Sequence, residues 1–559
     1  MHRAWLVALT LLPAAGACGG SGTAAAPSPR AATTARITPA DLKTRELIFA
    51  DDSMLGRRAG TMGNVRGNAY IVGEVTRLGL KPGGDDGSFL QRVPIVSYAV
   101  DTAKSRLQAG SATLGAFQQY YPYQPGFDVP ARPVNGAQVV YLGAAADSAS
   151  FPEREALRGK LVVFRSHPEA TSLGAPALGP RGRLGLIAGI AITDMDAIIQ
   201  SSGQYLRTPR LEVREASEVP AGVTQPRMLF VPTAAIPELF GKPLDQLRPG
   251  DTGATIQGEV AFEPTDLAAA NVVAILEGSD PALRGEYVAL GGHNDAIGIV
   301  APVDHDSIRA FNSVVRPHGA NDPSGHPTPE QWAQVKTILD SLRRLRPARV
   351  DSIVNGADDD GSGSMGLLEI AEAVSKDAAR PKRSLLFVWH SGEESGLQGS
   401  RWFTDHPTVP RDSIVAQINI DMIARGGPND EKLGGPGYIQ AIGSRRLSTE
   451  LGDLAEQVNT DRKHGLVFDY TYDADGHPDN FYCRSDHYMY ARYGIPIAFF
   501  STGGHRDYHQ VTDEVQYLDF EKFARVTSFV SDLARRVADL DHRVVVDKPK
   551  PDPQAPCKQ

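Results

Sequence analysis

The sequence predicts an α/β protein with a mainly parallel, doubly wound sheet flanked by helices and an inserted β-rich domain. Three observations predict it. Apolar runs of strand length recur in the second half, NVVAILEG at 271–278, EYVAL at 286–290, SLLFVW at 384–389, IVAQINI at 414–420 and GIPIAFF at 494–500. They alternate with helical patterns, the rhythm of strands joined by crossover helices. Polar clusters stand where these runs end, the position at which open α/β sheets collect ligands. Between about 105 and 262 the texture changes to closely spaced β runs broken by Pro and Gly, without a catalytic cluster.

At 559 residues the chain exceeds one ordinary core, and about 150 residues per domain predicts two to four domains. A net charge of -9 with no long basic run argues against a nucleic-acid partner held through phosphates. The N-terminus reads as a targeting signal over 1–17: His2 and Arg3, an apolar core from Ala4 to Leu12, then Ala15-Gly16-Ala17. The next residue, Cys18, resembles the lipidated cysteine of a bacterial lipobox, although Ala15 stands where Leu is usual. This predicts export to the bacterial cell envelope as a lipoprotein (outer membrane or periplasm), a lipid on Cys18 being the membrane contact, with plain secretion as the alternative. Residues 18–37, rich in Gly, Ala, Ser, Thr and Pro, read as a flexible tether. Only Cys483 and Cys557 then remain, and an oxidising compartment would permit them to pair. Against that pairing, Cys557 lies in a polar tail, 546–559, with little to hold it.

From Asp41 the pattern is helical, with Leu42, Leu47 and Ile48, and it resumes at Ala69, Ile71, Val72, Val75 and Leu78 after the Gly-rich loop SMLGRRAGTMGN. VPIVSYAV, GAQVVYLGA (136–144), GKLVVFRS (159–166), LGLIAGIAIT (184–193) and RMLFV (227–231) are the β runs that follow. Residues 38–104 and 263–545 thus form one domain, with 105–262 inserted. A polar span, 300–355, contains one predicted helix, Pro329 to Leu345; MGLLEIAEAV at 365–374 reads as a buried helix. Asp519 to Leu540 closes the domain, its apolar residues Phe520, Phe523, Val526, Phe529, Val530 and Leu533 forming one helical stripe.

Five strand ends carry metal-binding residue types. GGHND supplies His293, whose second nitrogen Asp295 would orient. GADDDGSGS places three aspartates at a helix start, and GEES sets Glu393 beside Glu394. NIDM buries an acid, Asp421, among apolar neighbours, where it needs a cation or a donor. DYHQVTDE offers Tyr508, His509 and Asp513. Each alone is more often a solvated turn, a cap or a core histidine. Five in the order H, D, E, D, H, each at a strand end, are improbable as independent accidents.

Together GGHND, GADDDGSGS, GEESGLQGS, NIDM and DYHQVTDE resemble the di-zinc aminopeptidase family of zinc exopeptidases, which also contains glutamate carboxypeptidase, glutaminyl cyclase and the transferrin receptor ectodomain. The resemblance covers about 38–104 and 263–541 and implies a zinc-exopeptidase-like fold. It implies two Zn2+ ions bridged by Asp359, with His293 and Asp421 completing one site and Glu394 and His509 the other. The implied reaction releases N-terminal residues from a peptide substrate through a water bridged by the two ions. Glu393 would be its general base and Tyr508 the oxyanion donor. Asp486 and His487, in SDH, are implied outer-sphere residues along with Asp295, and 105–262 is similar to the protease-associated domain of many members.

Two departures stand out. The interval between His293 and Asp359 holds the span 300–355, expected to wall or cover the active site, with His305, His318 and His326 expected to be solvated. Cys483 adjoins SDH, where burial or bridging is favoured over a metal role. The segment Val467 to Arg484, with Tyr472, Asp473, Asp475 and Asp479, is expected to contribute to specificity. Alternatives are a single-zinc, glutaminyl-cyclase-like acyltransferase and a non-catalytic binding protein on the same fold; retention of all five ligands and Glu393 argues against the latter.

Overall fold

The computed structural model describes residues 33–124, 126–144, 151–166, 182–196, 199, 206–214, 223–316, 327–426 and 434–559. The targeting signal, Cys18, the tether up to residue 32, and His318 and His326 lie outside the described residues.

The largest sheet has nine strands. At its centre Ser384–His390, Tyr287–His293, Ile414–Ile420 and Ile497–Ser501 run parallel in that spatial order. The flanks are antiparallel: Ala269–Leu276 pairs with Ser384–His390, and Tyr438–Ile442 with Ile497–Ser501. The parallel expectation therefore describes the centre, where the site lies, and the NVVAILEG strand runs opposite to it. Ser384–His390 and Ile414–Ile420 are buried throughout, which explains their unbroken apolar sequence: a central parallel strand has both faces covered.

The two faces separate by the two-residue period of a strand. Leu385, Phe387 and Trp389 join a core with Leu42, Ile71, Leu368, Phe523 and Phe529, from the helices Pro39–Phe49, Met62–Arg77, Gly363–Lys376 and Phe520–Ala538. Leu386 and Val388 face Phe403 and Tyr490, from the helices Gln398–Asp405 and His487–Ala491. Helices on both faces make the sheet doubly wound. The second helix begins earlier than the Gly-rich stretch suggests, at Met62, and Gly63 at the end of that stretch and Gly67 beyond it are packing positions. A Cβ on Gly63 would stand 2.0 Å from the Met54 carbonyl oxygen, and one on Gly67 3.2 Å from the Phe49 ring.

Residues 106–259 supply an eight-stranded sheet with its own cores. Its middle is parallel, Gln138–Ala144 beside Leu161–Arg165, then Gly189–Thr193, then Arg227–Phe230. One strand from this stretch of chain, Arg210–Val213, leaves that sheet. It pairs with Ile95–Val100, which also pairs with Phe262–Asp266.

The polar span folds as a two-stranded ladder, Gly298–Asp304 with Val350–Val354, carrying the helices His305–Val314 and Pro329–Leu345. Pro329–Leu345 starts with a capping box between Thr328 and Gln331 and with Pro in its first turn, both readable from the sequence. His305 is not solvated: it is 1% exposed and its Nε2 lies 3.0 Å from a Glu514 oxygen, because its helix packs on the loop that precedes the closing helix.

Cys483 and Cys557 are bridged. What holds the tail is main-chain docking. The Tyr482 N–H donates to the Gln559 side-chain oxygen at 2.9 Å, and the Gln559 amide donates to the Tyr472 carbonyl at 2.9 Å. Among the described residues no helix is long and apolar enough to cross a membrane.

Candidate metal centre

Three aspartates share the turn after Val350–Val354, and their neighbours give them separate tasks. Asp358 accepts from the Ala424 N–H at 2.8 Å and faces His505 Nε2 at 3.3 Å. Asp360 accepts from the N–H groups of His293 at 3.0 Å, Gly363 at 2.8 Å and Met422 at 3.2 Å, tying three strand-end loops together. Gly363 is required there, since a Cβ would stand 2.3 Å from the Asp360 carboxylate. Asp359 alone turns to the centre. Its main chain is held by Asp513, whose carboxylate accepts from the Asp358 N–H at 3.1 Å and the Asp359 N–H at 3.1 Å.

Around Asp359 the side chains form two groups. His293 Nε2 lies 3.2 Å from Asp359 Oδ1 and 3.7 Å from Asp421 Oδ1. On the other side, His509 Nε2 lies 3.1 Å from Asp359 Oδ2 and 3.0 Å from Glu394 Oε2. Each group offers three ligand atoms within 4.8 Å of one another, and Asp359 belongs to both. Glu393 approaches the first group, its Oε2 3.9 Å from His293 Nε2. The five residues read as ligands from the sequence and the adjacent Glu393 are therefore brought to one place.

The donor set fits divalent cations. Imidazole nitrogen and carboxylate oxygen are zinc-type ligands, and His293 Nε2, Asp359 Oδ2, Glu394 Oε1 and Asp421 Oδ1 are buried atoms with no hydrogen-bond partner. Orphaned buried charge is costly without a counter-ion. The local field demands positive charge: although burial opposes protonation, Glu394 and Asp359 raise the His509 imidazole to about 10. Burial pushes the Glu393 carboxyl well above its usual value; Asp421 and Glu394 add to the push and His293 opposes it.

The outer contacts partly differ from expectation. Asp295 does orient His293, but through its carbonyl oxygen, 3.1 Å from Nδ1, while its carboxylate lies at 3.7 Å. That carboxylate instead accepts from the N–H groups of Gly392 at 2.7 Å and Glu393 at 3.2 Å, fixing the loop with the two glutamates. In SDH the two outer-sphere candidates make the following contacts. Asp486 faces His390 Nδ1 at 3.3 Å, and His487 stacks on Phe499, with burial lowering its imidazole to about 3. The residue that reaches a predicted ligand is Ser485, whose hydroxyl donates to Asp421 Oδ2 at 2.7 Å, because the helix starting at His487 carries the next two side chains away. Sequence reasoning singled out neither Ser485 nor His505. The SDH motif was the only available signal for Ser485, and it indicated the stretch without the residue.

Tyr508 stacks on His509 with ring centroids 3.8 Å apart, and its hydroxyl accepts from Arg484 Nη2 at 3.2 Å. Burial, reinforced by Asp359, keeps its phenol protonated well above the usual range. Of the acids in the specificity segment, Asp473 is engaged by Arg446 at 2.7 Å. The 298–354 segment packs on the loop that bears Tyr508 and His509, with Arg309 Nη1 3.1 Å from Asp507 and the Asn312 amide donating to the Arg506 carbonyl at 2.7 Å.

Residues 271–534 match the sequence profile of peptidase family M28. Among curated proteins, the chain is 31% identical over 172 residues to leupeptin-inactivating enzyme 1 of Streptomyces exfoliatus, covering 30% of this chain and 34% of that protein. It is 26% identical over 195 residues to leucine aminopeptidase 1 of Trichophyton rubrum, covering 32% and 49%. The chain thus spans between a third and a half of these relatives' length. Its fold is similar to that of an aminopeptidase from Aneurinibacillus sp. strain AM-1 (TM-score 0.52, 15% identity, 92% of this chain and 97% of that one). It is likewise similar to that of BSAP, a zinc aminopeptidase from Bacillus subtilis (TM-score 0.50, 13% identity, 90% and 95%).

Proposed function

From the match of residues 271–534 to the profile of peptidase family M28, we propose that the protein is a zinc aminopeptidase of that family that hydrolyses N-terminal residues from peptides with two metal ions. The observation that carries this reading is the pair of three-residue groups sharing Asp359. His293, Asp359 and Asp421 would hold one ion, and Asp359, Glu394 and His509 the other. When bound, such ions polarise a scissile carbonyl and bring the pKa of a water molecule from about 15.7 toward about 7.

The chain's own groups then divide the remaining work. Glu393, not needed as a ligand, accepts the proton of the attacking water and delivers it to the leaving amine. Asp295 holds the Gly392 and Glu393 amides, so the carboxylate stays aimed during both. Tyr508 accepts from Arg484 and keeps its own proton, leaving it a donor for the oxyanion of the tetrahedral intermediate. Two complete groups favour this reading over a single-zinc cyclase.

The test is cleavage of free and N-acetylated peptide libraries, with and without chelator. Release of single residues from free N-termini only, lost on chelation and in Glu393→Gln, is expected. Undiminished cleavage after complete metal removal would refute the mechanism. Export, with a lipid on Cys18 or by secretion, is part of the same proposal. The Cys483–Cys557 bridge supports it, since such bonds persist in oxidising compartments. Recovery of the protein in the cytoplasmic fraction with its N-terminal Met intact would overturn it.

A further inference from the structure

We propose that Arg309, on the helix His305–Val314, is a positioning residue for the His509 half of the metal centre and acts through Asp507. The inference rests on the reading of that centre as a two-ion site.

His509 has φ +59°, the left-handed region, which a non-glycine residue avoids at about 1–2 kcal/mol. Such a conformation persists only where its surroundings over-determine it. The turn around it, 505–513, has no regular ladder. Its internal main-chain bonds are local, Tyr508 N–H to the His505 carbonyl at 3.0 Å, Gln510 N–H to the Asp507 carbonyl at 3.0 Å and Asp513 N–H to the Gln510 carbonyl at 3.0 Å, and a main-chain tie to a distant segment comes only at its end, where the Ala357 N–H donates to the Asp513 carbonyl at 3.2 Å. On the side before His509, rigidity must come from side chains of other segments.

Asp507 supplies the handle. It is fully buried two residues before His509. Arg309 Nη1 reaches both its oxygens, at 3.2 and 3.1 Å, and Arg425 Nη2 reaches it at 2.9 Å. The Arg309 guanidinium also lies over the Tyr517 ring at 3.6 Å. The same helix bonds the Arg506 carbonyl through Asn312 and Glu514 through His305. The segment inserted between the first histidine and the aspartate turn thus grips the loop on both sides of His509. Arg425, in the loop after the strand Ile414–Ile420, remains when Arg309 is removed. Asp507 then keeps one cationic partner, while the contact of Arg309 Nη1 with both its oxygens is lost.

The experiment compares metal binding by the full chain and its Arg309→Ala, Arg309→Met and Arg309→Lys variants, titrated with zinc in a metal buffer and followed in parallel by the visible spectrum of bound cobalt. Two ions per wild-type chain are expected. In Arg309→Ala the second is expected to bind about 10- to 100-fold more weakly and the first unchanged, the scale on which outer-shell partners act. kcat falls in step and Arg309→Lys restores part of the loss. Arg309→Met, which keeps the stem over Tyr517, reads the same quantity if the alanine variant does not fold. Wild-type affinity for both ions in Arg309→Ala or Arg309→Met, or equal weakening of both, overturns the inference. A wild type that binds fewer than two ions overturns instead the two-ion reading on which it rests.

Discussion

The two groups that share Asp359 are built by different means. His293 ends a central strand and Asp421 follows the next one directly, and their side chains are 1% and 7% exposed. His293 is fixed by the Asp295 carbonyl and Asp421 by the Ser485 hydroxyl. Glu394 and His509 instead lie on loops, and the His509 side chain is 33% exposed. Their order comes from charged contacts supplied by other segments. One half of the centre is therefore pinned by the sheet and the other by its lining, so on the proposed two-ion reading an ion in the second half would be the easier to lose.

On the proposed reading, the largest effect comes from the residue that refuses the comparison. Asp359→Asn should empty both halves together, with an activity loss exceeding the about 100-fold that outer-shell changes reach; elemental analysis of the dialysed protein checks this. Retention of one ion at full affinity would show that Asp359 is not shared. Glu393→Gln should lower kcat by about 10²–10⁴-fold, the range of a general base, with two ions still bound. Loss of an ion in that variant would make Glu393 a ligand. Ser485→Ala removes one hydrogen bond to a charged acceptor, about 1.5–3 kcal/mol. It should weaken metal binding at the buried half only, about 10- to 100-fold by competitive chelation; weakening of the other half would mean that the halves are not independent. The smallest expected difference is kinetic. Chelation of the wild type should release its ions in two phases, the faster from the His509 half, and a single phase with both ions leaving together would erase the distinction.

How much of this was legible in the sequence follows the same division. The sheet-pinned half was readable because strands announce themselves by continuous apolar runs, and His293 and Asp421 fall where those runs stop; Glu394, of the other half, follows such a run by four residues. Asp359 was readable as one of three aspartates. That it is the inward one depends on amides from residues 293, 363, 422 and 424, which no local pattern specifies. The lining was not readable. His305 sits in a polar span and looked solvated, yet it is buried against Glu514, 209 positions later. Arg309 and Asp507 are 198 positions apart, and nothing near either suggests the other. The family resemblance implied an outer-sphere place for Asp486 and His487, and the direction of a short helix decided that Ser485 would touch Asp421. The tail looked loose because its sequence is polar; it is held by hydrogen bonds from Tyr482 and to Tyr472, which carry no hydrophobic signature.

The strand Arg210–Val213 has a mechanical consequence. The eight-stranded module is joined to the rest of the described chain by the two chain crossings that bound it, and two attachment points leave an axis about which a body can swing. Pairing of this strand with Ile95–Val100 over four residues adds a third attachment off that axis. Gln398, four residues after Glu394, extends the seam: it accepts from the Val213 N–H at 3.2 Å and donates to the Leu211 carbonyl at 3.3 Å. A body held at three corners is restrained against turning, and a load on the module would pass through Gln398 toward the loop of Glu393 and Glu394.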